Sequence, residues 1–195
     1  MNTNLACVLL LFCSNRTQDA AYRDSLEVWN MSGSSLRRYA VDACGNITQP
    51  YKNIQTIPYR QEDKRTVNRR RISGLERGAL LGSMKVLKEE KCEYIFKITG
   101  KYPVLKGLEK EVRDTPSTTH LALSSRGRSY GGWSSEIFGA RRELLQNALL
   151  AWTDGRNTES FLWRLHHNYT FFKMKKMHLP FPVRRNSDNR SLSFL

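Results

Sequence analysis

A chain of 195 residues and 22.6 kDa can bury one substantial core, and the 39% of aliphatic and aromatic residues supply the material for it. With 32 Lys and Arg against 18 Asp and Glu, the net charge of +14 favours anionic partners: nucleotides, phosphates, nucleic acid or acidic lipid surfaces. Four widely spread cysteines, Cys7, Cys13, Cys44 and Cys92, form no Cys-x-x-Cys pair, which argues against a zinc ribbon or a thioredoxin-type site and for small apolar core residues.

The nine-residue stretch Leu5 to Cys13 is apolar but lacks a positive leader and is too short to span a bilayer, so it reads as a first strand covered on both faces. From Gln18 to Asn30 the residues Ala21, Tyr22, Leu26 and Trp29 fall on one side of a helix, which Gly33-Ser-Ser ends. Tyr39 to Gly45 reads as a second strand running into a turn, and Ile54 to Tyr59, interrupted by Pro58, as a third. Strand, helix and strand at this spacing predict a parallel sheet.

Arg60 to Arg71 is strongly charged and predicts an exposed loop. Ser73 then sits where a helix N-cap would, with Glu76 three residues later completing a capping box. Leu75, Ala79, Leu80, Met84 and Leu87 continue with helical spacing. Tyr94 to Ile98 reads as the fourth strand, Pro103 to Val112 as a short helix or turn, and His120 to Ser124 as another strand. Phe138 to Trp152 and Glu159 to Phe172 read as two further helices. The order predicts a three-layer α/β/α domain over 1–183 with a mostly parallel, Rossmann-related central sheet. The basic tail 184–195 carries little core material and is expected to be mobile.

In such a sheet, ligands are expected at the carboxyl ends of the strands. Asn15 and Arg16, Asp42 and Asn46, and Thr99 to Tyr102 occupy those places. Two stretches display polar groups beside a glycine after an apolar run, Tyr94-Ile-Phe-Lys-Ile-Thr-Gly-Lys-Tyr102 and Trp133-Ser-Ser-Glu-Ile-Phe-Gly139. No P-loop, Gly-x-Ser-x-Gly, His-Glu-x-x-His or Gly-x-Gly-x-x-Gly occurs, so hydrolase, zinc protease and dinucleotide dehydrogenase readings lose ground. His166 and His167 are adjacent on a predicted helix and cannot form a helical metal pair.

The run Phe96-Lys-Ile-Thr-Gly-Lys-Tyr102 resembles the Phe-Lys-hydrophobic-Thr-Gly-Arg-Tyr signature of small glycosyltransferase-like proteins with the nucleotide-diphospho-sugar (GT-A) fold. Around it stand Gly74-Leu-Glu-Arg-Gly78, Ser135-Glu-Ile-Phe-Gly139, and, early in the chain, Arg16 with Tyr22-Arg-Asp-Ser-Leu26, so the similarity spans roughly residues 5 to 170. It implies transfer of a sugar from a nucleotide-sugar donor to a glycan or other hydroxyl acceptor. The Asp-x-Asp that holds a divalent metal in most GT-A proteins is absent, which puts a metal requirement in doubt. Lys97 and Lys101 stand near the place where it is expected and could neutralise the diphosphate, Lys101 as a cation without the bidentate fork of an arginine.

Glycosyl transfer needs a positive setting for the departing diphosphate and, for inversion, a carboxylate that takes the acceptor's proton. Glu136 is the candidate base. Trp133 could stack on a sugar face, and Asp42 could accept hydrogen bonds from a base or ribose. Arg16, Lys97, Thr99, Gly100, Lys101, Tyr102 and Ser135 complete the expected substrate-binding set. Two alternatives stand beside this reading. One is a nucleic-acid-binding protein using Arg69-Arg70-Arg71, Arg126 with Arg128, Arg141-Arg142, Lys173 with Lys175 and Lys176, and Arg184-Arg185. The other is a GT-A-like domain that binds without turnover. Five Asn-x-Ser/Thr triplets (Asn15, Asn30, Asn46, Asn168, Asn189) are glycan acceptors only in a secretory lumen and leave the compartment open.

Overall fold

Every residue of strand β1 (Ala6–Phe12) is buried, because alternate side chains enter the two helical layers on either face of the sheet. A computed structural model describes residues 2–12, 19–43, 47, 50–59, 69–100, 102–103, 107–125, 133–152 and 158–174. After β1 come α1 (Asp19–Met31), β2 (Arg37–Asp42), β3 (Gln55–Ile57), α2 (Arg69–Glu89), β4 (Tyr94–Thr99), α3 (Leu108–Asp114), β5 (Leu121–Ser125), β6 (Trp133–Arg141), α4 (Arg142–Ala151), α5 (Thr158–Asn168) and β7 (Phe171–Met174). The strands form one mixed, mostly parallel sheet in the order β3-β2-β1-β4-β6-β5-β7, with β6 antiparallel to both its neighbours.

The predicted three-layer α/β/α architecture is the one observed. On one face, Cys7, Leu9 and Leu11 of β1 share one core cluster with Leu80, Met84 and Leu87 of α2, Leu145 and Leu149 of α4, and Leu162 of α5. On the other, Val8, Leu10 and Phe12 meet Tyr22, Leu26 and Trp29 of α1 and Leu108 and Val112 of α3. Burying each of the β1 leucines is worth about 1.5–3 kcal/mol, so this strand is the main apolar anchor between the layers.

Three local expectations are corrected. The predicted capping box at Ser73 does not start a helix, since α2 already runs from Arg69; Arg69 to Arg71 are therefore helical rather than loop, and Glu76 pairs across the domain instead of capping. Phe138 to Arg141, predicted to be helical, end strand β6, which also carries Glu136. Pairing with β4 is the physical reason, and Gly139 permits it: it faces Phe96 in the register, and a Cβ there would come within 2.8 Å of the Phe96 and Tyr94 rings. Finally, α5 ends at Asn168, and Phe171 and Phe172 belong to edge strand β7, paired in parallel with β5.

Candidate functional site

The sheet reverses direction of winding at β1, which lies between β2 and β4, so its crevice opens at the carboxyl ends of β1 and β4. Two of the three predicted segments come together there. Asp42 is level with Phe12 in the β1–β2 register, and the Ala43 N–H donates to the Phe12 carbonyl at 2.9 Å. On the other side Thr99 is level with Leu11, and the Gly100 N–H donates to the Leu11 carbonyl at 2.8 Å. Arg16 and Lys101 lie outside the described residues, as do Asn15 and Asn46.

Gly100 is a glycine for lack of room. A Cβ on it would sit 2.4 Å from the ring of Phe12, which is itself fully buried and held edge-on against Tyr22. The chain then turns, with the Tyr102 N–H donating to the Thr99 carbonyl at 3.1 Å. Tyr102 is fully buried in the core, and its carbonyl accepts from Ser25 Oγ at 2.6 Å and from Trp29 Nε1 at 2.8 Å, both on α1. Tyr102 thus belongs to the tether of the corner, not to its exposed face. Asp42 is nearly buried as well, and its Oδ2 accepts from the Ile47 N–H at 2.6 Å, closing the loop after β2.

One strand further along, Lys97 is 2% exposed in the middle of β4. Its ammonium meets Glu76 Oε1 of α2 at 2.6 Å, the Ser135 carbonyl of β6 at 2.5 Å and Thr99 Oγ1 at 3.2 Å. Its three N–H donors therefore have three acceptors within the protein. Glu76 Oε2 accepts from Thr158 Oγ1 at 2.5 Å, and Ser135 Oγ donates to Glu159 Oε1 at 2.7 Å. The first turn of α5 is tied in this way to the ends of β4 and β6. Lys97, expected to neutralise a diphosphate, instead joins β4 to α2 and β6.

The Ser135 carbonyl reaches Lys97 because β6 is irregular there. Leu123 pairs with Phe138 but Ser125 pairs with Trp133, so two steps along β5 match five along β6. Glu136 lies inside this bulge, next to Ile137, which pairs with Ile98. Glu136 is half-buried and its N–H donates to Ser134 Oγ at 3.3 Å. Trp133 is also half-buried, with ring centroids 5.2 Å from His166 and 5.4 Å from Phe171.

The sequence reading missed Glu76, Thr158 and Glu159 as members of this cluster. A lysine inside an apolar strand signals that a carboxylate must meet it. Which of 18 acidic residues does so is decided by the packing of α2 on the sheet.

Two arginines counted among the phosphate-binding clusters bond backbone carbonyls of the domain. Arg141 donates to the Thr119 and Ser117 carbonyls, and Arg142 donates to the Cys92 carbonyl at 3.0 Å. At the amino end of the sheet, Cys7 and Cys92 share a hydrogen bond beside Tyr39 and Arg37. It holds the Cys92 thiol down to about 7, with help from the Arg37 charge and against burial, while the same bond and burial push Cys7 well up. No described helix is long and apolar enough to cross a membrane. Neither a protein-family model nor a curated protein sequence matches the chain.

Proposed function

We propose that this chain transfers a sugar from a nucleotide-sugar donor to a hydroxyl acceptor, with the donor at the carboxyl ends of β1 and β4 and the acceptor on the β6 side. The observation that carries the reading is the bond from Lys97 Nζ to the Ser135 carbonyl. It joins the Thr99-Gly100 corner to the segment bearing Glu136, so the two stretches that resemble the GT-A signature share one rim.

In this reading Glu136 takes the acceptor's proton, which suits a half-buried carboxylate at the open end of a strand. Gly100 seats the corner against Phe12, and Thr99 and Asp42 line the approach from either side of β1. Lys97 acts by position: with its donors spent on Glu76, Ser135 and Thr99, it shapes the rim. The compensating positive charge for the diphosphate falls to Arg16 and Lys101, and to a divalent metal if one is used.

A thermal-shift series with UDP-, GDP- and CMP-sugars, with and without manganese, tests the reading. Stabilisation by one nucleotide class is expected, with Glu136→Gln keeping that stabilisation and losing turnover. No response to any of them removes the donor site, and binding without turnover in the wild type leaves a binding domain in its place.

A further inference from the structure

We propose that the aromatic ridge where β6, α5 and β7 meet is a carbohydrate-binding subsite that carries the acceptor glycan towards the rim at Ser135 and Glu136. The acceptor role rests on the glycosyl-transfer reading above; carbohydrate binding at the ridge does not.

The ridge is an unbroken chain of ring contacts. Phe171 and Trp133 are 5.4 Å apart, Phe171 and His166 4.7 Å, His166 and His167 4.7 Å, and His167 and Trp163 4.0 Å. Its inner end, Trp133, stands two residues before Ser135, whose carbonyl and hydroxyl are held by Lys97 and Glu159. A chain lying on the rings therefore arrives at the candidate site.

The chemistry of the surface selects the class of ligand. Among the described residues, the exposed large apolar side chains are Val28, Met31 and Leu150 on α1 and α4, and Trp163, Tyr169 and Phe171 here, so this corner exposes aromatic rings without aliphatic anchors. Rings offer flat apolar faces that match the C–H face of a pyranose, and Trp133 continues them to the segment bearing Ser135 and Glu136. Polar atoms are interleaved with the rings. The exposed His167 ring lies between Trp163 and His166, with ring nitrogens that can hydrogen-bond a sugar hydroxyl. A ligand with apolar faces and a hydroxyl rim satisfies both features at once.

Saturation-transfer NMR on the full chain with cellotetraose, chitotetraose, maltotetraose and mannotetraose tests this without any donor. Transfer to the ring C–H protons of at least one glycan is expected, with affinity lowered about tenfold in Trp163→Ala/Phe171→Ser. Both side chains are exposed, and an unchanged melting temperature serves as the folding control. No transfer from any of the four, or undiminished transfer in the variant, overturns the proposal. So does preferential binding of a uridylate decamer that the same variant abolishes, which would mark a single-stranded nucleic-acid surface. Glycan binding with no nucleotide-sugar response would leave the subsite standing and remove the transferase reading; the converse pattern would do the opposite.

Discussion

The Lys97 ammonium and the Glu76 carboxylate meet at 2.6 Å with side chains only 2% and 12% exposed, which makes them a buried ion pair between the centre of the sheet and α2. Removing one partner of such a pair leaves the other charge without its match, at a cost of about 3–5 kcal/mol. Lys97→Met should therefore lower the unfolding free energy by that order in urea titrations. Lys97→Met/Glu76→Leu should recover a large part of it. A double variant as unstable as the sum of the singles would show that the pair does not act as a unit.

Gly100→Ala should destabilise the protein by about 1–3 kcal/mol through overpacking against Phe12. Adding Phe12→Leu, which shortens the obstructing ring, should return part of the loss in the same denaturation experiment. No rescue would mean that the strain lies in the backbone of the turn.

The Tyr102 carbonyl has two donors, Ser25 Oγ and Trp29 Nε1. Ser25→Ala should cost about 1 kcal/mol because the indole donor remains, whereas Ser25→Ala/Trp29→Phe removes both of these donors from a buried acceptor and should cost more than the two single changes together. The double variant should also lose nucleotide-sugar binding, since it frees the corner that begins at Thr99. Denaturation and thermal-shift measurements on the same samples separate the two effects.

Stability should rise between about pH 7 and 9 and decline above it. The folded Cys92 thiol sits at about 7 against an ordinary value of 9.0, so over that interval the unfolded chain binds one more proton than the folded one. Above it the sign reverses, because Cys7 and Tyr39 keep their protons in the fold after the unfolded chain has released them. The gain is at most about 1.4 kcal/mol per pH unit. Cys92→Ser should flatten it in urea titrations run under reducing conditions at several pH values.

The layered fold was legible where burial speaks locally. A seven-residue apolar run bounded by polar residues is of strand length and reads as a strand covered on both sides, and Tyr22, Leu26 and Trp29 mark one face of α1 without reference to the rest of the chain. Strands β6 and β7 were not legible. Phe138 to Arg141 run directly into a genuine helix with only Gly139 between them and its pattern, and Phe171-Phe172 follows α5 after two residues, so no local signal firmly divides helix from strand. Only pairing with β4 and β5, far away in sequence, selects the extended state there.

By itself, the sequence determined an α/β domain with a buried first strand, a positive charge, and two polar stretches beside glycines. The tertiary structure decided that these stretches adjoin through Lys97 and the Ser135 carbonyl, that Glu76 and not a cap awaits that lysine, and that Tyr102 faces the core. Burial and periodicity are properties of a segment and its immediate neighbours, so they can be read in order along the chain. An ion pair between residues on separate elements, or a bulge that turns one carbonyl inward, exists only after distant segments have packed, and no local pattern encodes which partner will be there.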